Sequence, residues 1–214
     1  MYEVRIDDLP EQVYQRIKEM ILEGELSAGQ KLVQEELAAQ LGVSRTPLLT
    51  AFRKLEKEML VQLIPRRGAF VRENTDDDLL HIFDIRLKIE PLAARDATAA
   101  MTDEGLSIIS EKHDRFAEAV EAGDRIRYRR ADYDFHYAIM EQSGNPFIPL
   151  MLSSVNLISI SNVSGLVTDP KVSLEGHKSI LAAIKSRNPD AAEEAMAYHL
   201  NLSRNTLLKH RNDG

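Results

Sequence analysis

The chain of 214 residues contains no cysteine. That absence removes disulfides, thiolate catalysis and cysteine-ligated zinc together. No run of 18 apolar residues occurs, so no segment is suited to span a bilayer. The amino end also lacks the basic and apolar stretches of a secretory signal. A cytoplasmic home is expected, and the Asn-x-Ser triplets at Asn162 and Asn201 then carry no weight. There is no internal repeat and no low-complexity tract. Positive charge is in deficit too, with 27 Lys+Arg against 34 Asp+Glu and a formal net charge of −7. The deficit is uneven: residues 1–72 hold 11 basic and 11 acidic side chains, the remainder 16 and 23. A nucleic-acid binder concentrates its positive charge, so a neutral amino-terminal part with a basic patch is compatible with DNA, and the acidic remainder should face away from it. Hydrophobic residues at 43% and charged ones at 29% are those of a soluble globular protein.

The stretch from Leu37 to Leu60 carries the clearest pattern. A short amphipathic helix bearing Leu37, Ala38 and Leu41 is broken by Gly42, which can supply the positive φ of a sharp inter-helix turn. Ser44 stands at an N-cap position and Pro47 falls in the first turn, where its missing N–H costs little. Leu48, Ala51, Phe52 and Leu55 then recur at helical spacing. The opposite face keeps Arg45, Thr46, Arg53, Lys54 and Lys57. A cationic, hydroxyl-bearing second helix is what a major groove accepts. An ordinary helical hairpin with a solvated face is the alternative.

Val61–Ile64 and Ala69–Arg72 are short β-prone runs joined by Pro65-Arg66-Arg67-Gly68, a turn tipped with two arginines. Helix, turn, helix and basic hairpin make a winged helix-turn-helix, with Arg66 and Arg67 placed for phosphates or a minor groove. Ahead of it, Pro10 opens a helix with the stripe Val13, Ile17, Met20 and Ile21. Residues 1–73 are thus expected to form a DNA-binding domain, and residues 74–214 a second one. Thr75, followed by three acids, is a helix start. Six helices are predicted beyond it: Asp76 to Ala100, Thr102 to Ala122, Asp124 to Ser143, Pro146 to Leu166, Pro170 to Arg187 and Pro189 to His210. The fold class is mostly α, a winged helix-turn-helix followed by an all-α six-helix bundle.

Polar side chains on the apolar stripes of the bundle are the candidates for a second site. Asp132 and His136 lie four apart and project from one helix face. His177 shares a face with Ile180, Leu181 and Ile184, and His199 one with Ala195, Met196 and Leu202. Imidazoles and a carboxylate suit a divalent transition metal, zinc first, with nickel, manganese, iron or copper as others. Hydrogen-bonded core histidines are the alternative. Arg86 sits among Ile82, Phe83 and Ile89, where a buried guanidinium needs a partner. Glu90, one turn on, could supply it, or the arginine could hold a carboxylate ligand bidentately.

Taken in order, Leu37-Ala38 through Gly42-Val43-Ser44-Arg45-Thr46-Pro47, the wing Pro65-Arg66-Arg67-Gly68-Ala69-Phe70-Val71, Arg86 with Glu90, Asp132-x-x-Phe135-His136 and Gly144-Asn145-Pro146 resemble the GntR family of bacterial transcription regulators. The likeness is to the FadR-type subfamily with an FCD effector domain, in its six-helix VanR-like form, and spans about residues 8 to 211. The resemblance implies that Ser44, Arg45 and Thr46 contact DNA and that Gly68 is the wing tip. It implies that Asp132, His136, His177 and His199 form the family's one-carboxylate, three-histidine metal site, with Arg86 at the effector pocket. It also implies small-carboxylate effectors and homodimers on palindromic operators. Three positions depart from the pattern. Leu49-Thr50 replace the usual Arg-Glu of the recognition helix, Glu35 is acidic where some relatives are basic, and Met59 stands where a helix-ending glycine is usual.

The function expected is a ligand-responsive, DNA-binding transcription regulator, a repressor by the commoner pattern. Phosphate contacts would come from Arg53, Lys54, Arg66 and Arg67, and base reading from Arg45 and Thr46. A small organic acid would bind near the metal, with Arg86 and Glu90. The rival is a metal-dependent enzyme with an appended DNA-binding domain, but no nucleophile–base pair is evident beside the ligands. A third reading is a metal-free bundle with structural histidines and a bulkier ligand.

Overall fold

A computed structural model describes residues 9–152 and 168–213, which divide between two units, Met1–Glu73 and Asn74–Gly214. The first contains α1 (Leu9–Leu22), β1 (Lys31–Leu32), α2 (Gln34–Leu41), α3 (Arg45–Lys57), β2 (Val61–Ile64) and β3 (Gly68–Val71). Apolar stripes at helical spacing explain the helices: α1 buries Val13, Tyr14, Ile17, Met20 and Ile21, and α3 buries Leu48, Ala51, Phe52 and Leu55. These faces, with Leu60, Val61, Ala69 and Val71 of the wing, make one core.

Gly42 ends α2 at φ 66°, and the Val43 N–H donates to the Ala38 carbonyl at 2.9 Å. This is the left-handed turn that the helix–glycine–helix pattern requires. Ser44 occupies the N-cap of α3 in extended backbone, but its side chain makes no capping hydrogen bond. Its exposed hydroxyl is left for another partner. At the far end of α3, the Leu60 N–H donates to the Leu55 carbonyl and the Met59 N–H to that of Glu56, both at 3.0 Å. That pair of bonds is a Schellman stop, and it places Met59 at φ 59°. Methionine here adopts the conformation that usually selects glycine.

The wing is antiparallel, in the order β1-β3-β2, with Leu32 opposite Ala69 and Ile64 opposite Gly68. Pro65 and Arg66 (φ 63°) form its tip, closed by the Arg67 N–H donating to the Ile64 carbonyl at 3.0 Å. Proline first and positive φ second is the type II arrangement.

The second unit contains α4 (Asp76–Ala99), α5 (Asp103–Glu121), α6 (Arg125–Gln142), α7 (147–152), α8 (Pro170–Lys185) and α9 (Pro189–Asp213). Thr75 caps α4 in a reciprocal box with Asp78, as the sequence predicts. Of the expected helix Pro146 to Leu166, only residues up to 152 are described; the rest lies outside the described residues, as does the arm Met1 to Asp8. α4 and α9 run antiparallel, with Arg211 on Asp77, Arg204 on Asp84 and Arg95 on Asp190 and Glu193. These exposed pairs add little each. The apolar seam of Ile82, Phe83, Ala94, Ala97, Met196, Leu200 and Leu207, packed with Phe135, Ile139, Ile180 and Ile184, holds the bundle together.

Candidate metal centre and nucleic-acid face

Within the bundle, one carboxylate and three imidazoles from three helices meet at a point. Asp132 and His136 come from successive turns of α6, His177 from α8 and His199 from α9, with one ligand atom of each within 4.8 Å of the others. His136 Nε2 lies 3.2 Å from His177 Nε2, which lies 3.3 Å from Asp132 Oδ1. The three histidines are buried, while the Asp132 side chain keeps 27% exposure.

Each ring is held differently. His136 Nδ1 is 2.6 Å from Glu90 Oε2 on α4, and Glu90 in turn accepts from Arg86 Nε at 2.6 Å. An ionised carboxylate only accepts, so His136 Nδ1 donates to Glu90 and Nε2 faces the cluster. His177 is clamped between Phe116 and Phe135, with ring centroids at 4.2 and 4.3 Å. Its Nδ1 is buried with no hydrogen-bond partner among the described residues, so that side of the ring is held by stacking while Nε2 faces His136 and Asp132. His199 rests on Gly176, whose missing side chain gives the imidazole its place.

Electrostatics keep the donors in ligating form. Burial lowers His177 to about 4, against the raising effect of Asp132, and burial also lowers His199. For both rings burial favours the neutral, ligating form. Burial opposes the Asp132 charge, but the His177 hydrogen bond and the proximity of His136, His177 and the Arg86 guanidinium outweigh it and hold the carboxyl well below its usual range. Glu90 goes the same way, to about 2, because Arg86 and His136 overcome its desolvation. Arg86, Glu90 and Asp132 together contribute one net negative charge inside the bundle. Three imidazoles and one carboxylate are a fitting donor set for a borderline divalent ion. Zinc–nitrogen bonds of about 2.0–2.1 Å need donors roughly 3–4 Å apart, close to the spacing here.

Arg86 and Glu90 are buried at 7% and 1% exposure and paired with each other through Nε–Oε1 and a longer Nη2–Oε2 contact of 3.4 Å. The sequence left open whether Arg86 holds Glu90 or a ligand. In this structure it holds Glu90, and Glu90 holds His136. That second link was missed, because no spacing on α4 reveals what faces it from α6.

On the first unit, Ser44, Arg45, Thr46 and Arg53 are exposed along α3, and Arg66, Arg67 and Gly68 are exposed at the wing. Arg45 donates to Glu35 Oε1 of α2. Lys54 is engaged elsewhere: Nζ lies 2.5 Å from Glu11 Oε2 and 3.7 Å above the Tyr14 ring, tying α3 to α1. Lys31 was missed by sequence. Its strand of two residues is too short to show periodicity, yet its side chain lies beside the start of β3, with Cε 3.7 Å from where a Gly68 Cβ would sit.

Comparison with known proteins follows the same division. Residues 9–71 match the bacterial regulatory proteins of the gntR family, and residues 81–202 match the FCD domain. The HTH-type transcriptional regulator YdhC of Bacillus subtilis is 28% identical over 194 residues, covering 89% of this chain and 87% of YdhC. The HTH-type transcriptional repressor RspR of Escherichia coli is 26% identical over 194 residues, covering 89% and 85%. Among solved structures, E. coli McbR/YncC superposes with a TM-score of 0.82 at 24% identity, over 99% of this chain and 100% of that one. That likeness speaks for the fold.

Proposed function

The chain belongs to the gntR family of bacterial regulatory proteins and carries an FCD domain, and from that premise we propose that it is a homodimeric repressor released by a small carboxylate bound at a divalent metal. It is a DNA-binding transcriptional regulator and not an enzyme. The observation that carries the finer reading is the convergence of Asp132, His136, His177 and His199. A divalent ion held by these four residues, zinc first and nickel, manganese or iron as others, would supply Lewis acidity and add two positive charges to the enclosed site. The enclosed site then favours an anion, which is why the effector is a small organic acid. Asp132 marks the side from which it enters, and Arg86 and Glu90 set the charge beneath it.

In the first unit, Arg45 and Thr46 read base edges, Ser44 contacts the backbone, and Arg53, Arg66 and Arg67 contact phosphates beside Gly68. Two such units read a palindromic operator in cytoplasmic DNA. Exposed Ile85 and Leu92 on α4, with Phe147 and Met151 on α7, offer the second unit an apolar face for pairing. The effector releases DNA only to the extent that it binds one dimer geometry better than the other.

Metal analysis of untagged protein tests the centre. The native chain should carry close to one divalent ion per subunit, and Asp132→Ala substantially less. Metal-loaded protein should then gain melting temperature with rising concentration of its organic acid, and lose its operator in a mobility shift. Protein that binds no ion under any loading condition leaves the histidines structural and sinks the proposal.

A further inference from the structure

We infer that Glu35 is a positioning residue for Arg45, one that turns this guanidinium toward base edges and suppresses sequence-blind binding. The inference rests on α3 being the helix that enters the major groove. Arg45 is the first residue of α3, and Glu35 stands in the first turn of α2, across the Gly42 turn. The Arg45 guanidinium donates to Glu35 Oε1. Both side chains are largely exposed, at 62% and 75%. An ion pair so exposed contributes little to holding the two helices together. Its effect is greatest on whatever polyanion approaches that face.

The other cations of the unit sharpen this contrast. Arg53 and Lys57 on α3, Arg66 at the wing tip and Lys31 on β1 make no ion pair among the described residues, whereas Arg45 does. The uncommitted cations supply attraction to any duplex, in proportion to the phosphates they neutralise. Arg45 differs, because a phosphate that draws it away must approach the Glu35 carboxylate and leave it unpaired. A guanine edge imposes no such charge, and Arg45 can present its planar donors to O6 and N7 while Glu35 keeps the remaining N–H. The carboxylate thus taxes backbone contacts and spares base contacts. Discrimination rises while total affinity falls.

A helix-dipole role for Glu35 would be shared by Glu36, which lies in the same first turn of α2 and makes no ion pair with Arg45. Glu36→Gln is therefore the control for charge and helix stability. The native chain selects a preferred duplex from a random-sequence pool. The full-length native, Glu35→Gln and Glu36→Gln proteins are then titrated against that duplex and against the unselected pool at several salt concentrations. Glu35→Gln should bind the pool about three- to tenfold more tightly, lower the ratio of selected to pool affinity by a similar factor, and keep the native melting temperature. Repeated selection with Glu35→Gln should give a more degenerate motif at one position of each half-site. Glu36→Gln should leave the affinity ratio at its native value. Equal ratios in all three proteins would overturn the role of Glu35 while leaving the reading helix intact. Failure of the native chain to select any sequence would overturn both.

Discussion

Gly176 lies against the His199 imidazole so closely that a Cβ at position 176 would fall 2.4 Å from Nδ1 and 3.1 Å from Cγ. A glycine in mid-helix costs about 1 kcal/mol relative to alanine. α8 carries one here because His199 needs the space. Gly176→Ala should therefore keep the helical fold while displacing His199, and lower metal affinity about 10- to 100-fold, the scale seen when support of a ligand is lost. Competition titration against a colorimetric chelator reads the affinity, and circular dichroism the fold. Native affinity in the alanine variant would show that the ring has room elsewhere.

The Arg86–Glu90–His136 chain makes a second prediction. Glu90→Gln removes the charge opposite a buried guanidinium, and breaking a buried pair costs about 3–5 kcal/mol. A matching drop in denaturation midpoint is expected, together with weaker metal binding because His136 loses the acceptor that orients it. Glu90→Asp, which keeps the charge but shortens the reach, should fall between the two.

Met59 makes a test in the opposite direction. It holds φ 59° in the Schellman stop of α3 and is 41% exposed, so it has little packing to lose. Met59→Gly should stabilise the protein by up to about 1 kcal/mol in urea denaturation, because glycine takes this backbone without strain. A destabilised variant would mean that the methionine side chain packs more productively than its exposure indicates.

Lys54 and Arg53 are neighbours in sequence and should separate in experiment. Lys54 is held by Glu11 and Tyr14, so Lys54→Ala should lower stability and leave the salt dependence of DNA binding near native. Arg53→Ala should do the reverse, reducing the slope of log affinity against log salt by about 1. Arg45→Ala should cost about 1–3 kcal/mol at one base pair per half-site.

Chelation should lower the melting temperature of native protein, and readdition of zinc should restore it. An ion at 100 times its dissociation constant adds about 2.7 kcal/mol to the folded state. Asp132→Ala should blunt both responses.

Much of this was legible in the sequence because it was local. Gly42, the α3 stripe, the Thr75 cap and the wing tip are written in spacings of a few residues, and they fold as those spacings dictate. The four donors were each visible as polar residues on apolar stripes, although their meeting point was not, since α6, α8 and α9 touch through tertiary packing alone. The link from Glu90 to His136, the aromatic clamp on His177 and the seat of His199 on Gly176 are likewise contacts between helices. Ser44 shows the opposite limit: its position at the helix start was readable, but its hydroxyl does not cap. Lys54 shows another, because a cation on the exposed face of a helix can still be claimed by an acid 43 residues away.

The helix that carries Glu90 begins at Asp76, five residues after the wing strand ends at Val71. At about 1.5 Å per residue, Glu90 stands roughly 21 Å along it. A displacement of the His136 ring would therefore be felt first by α4, through the single Glu90 carboxylate, about four turns from where that helix starts.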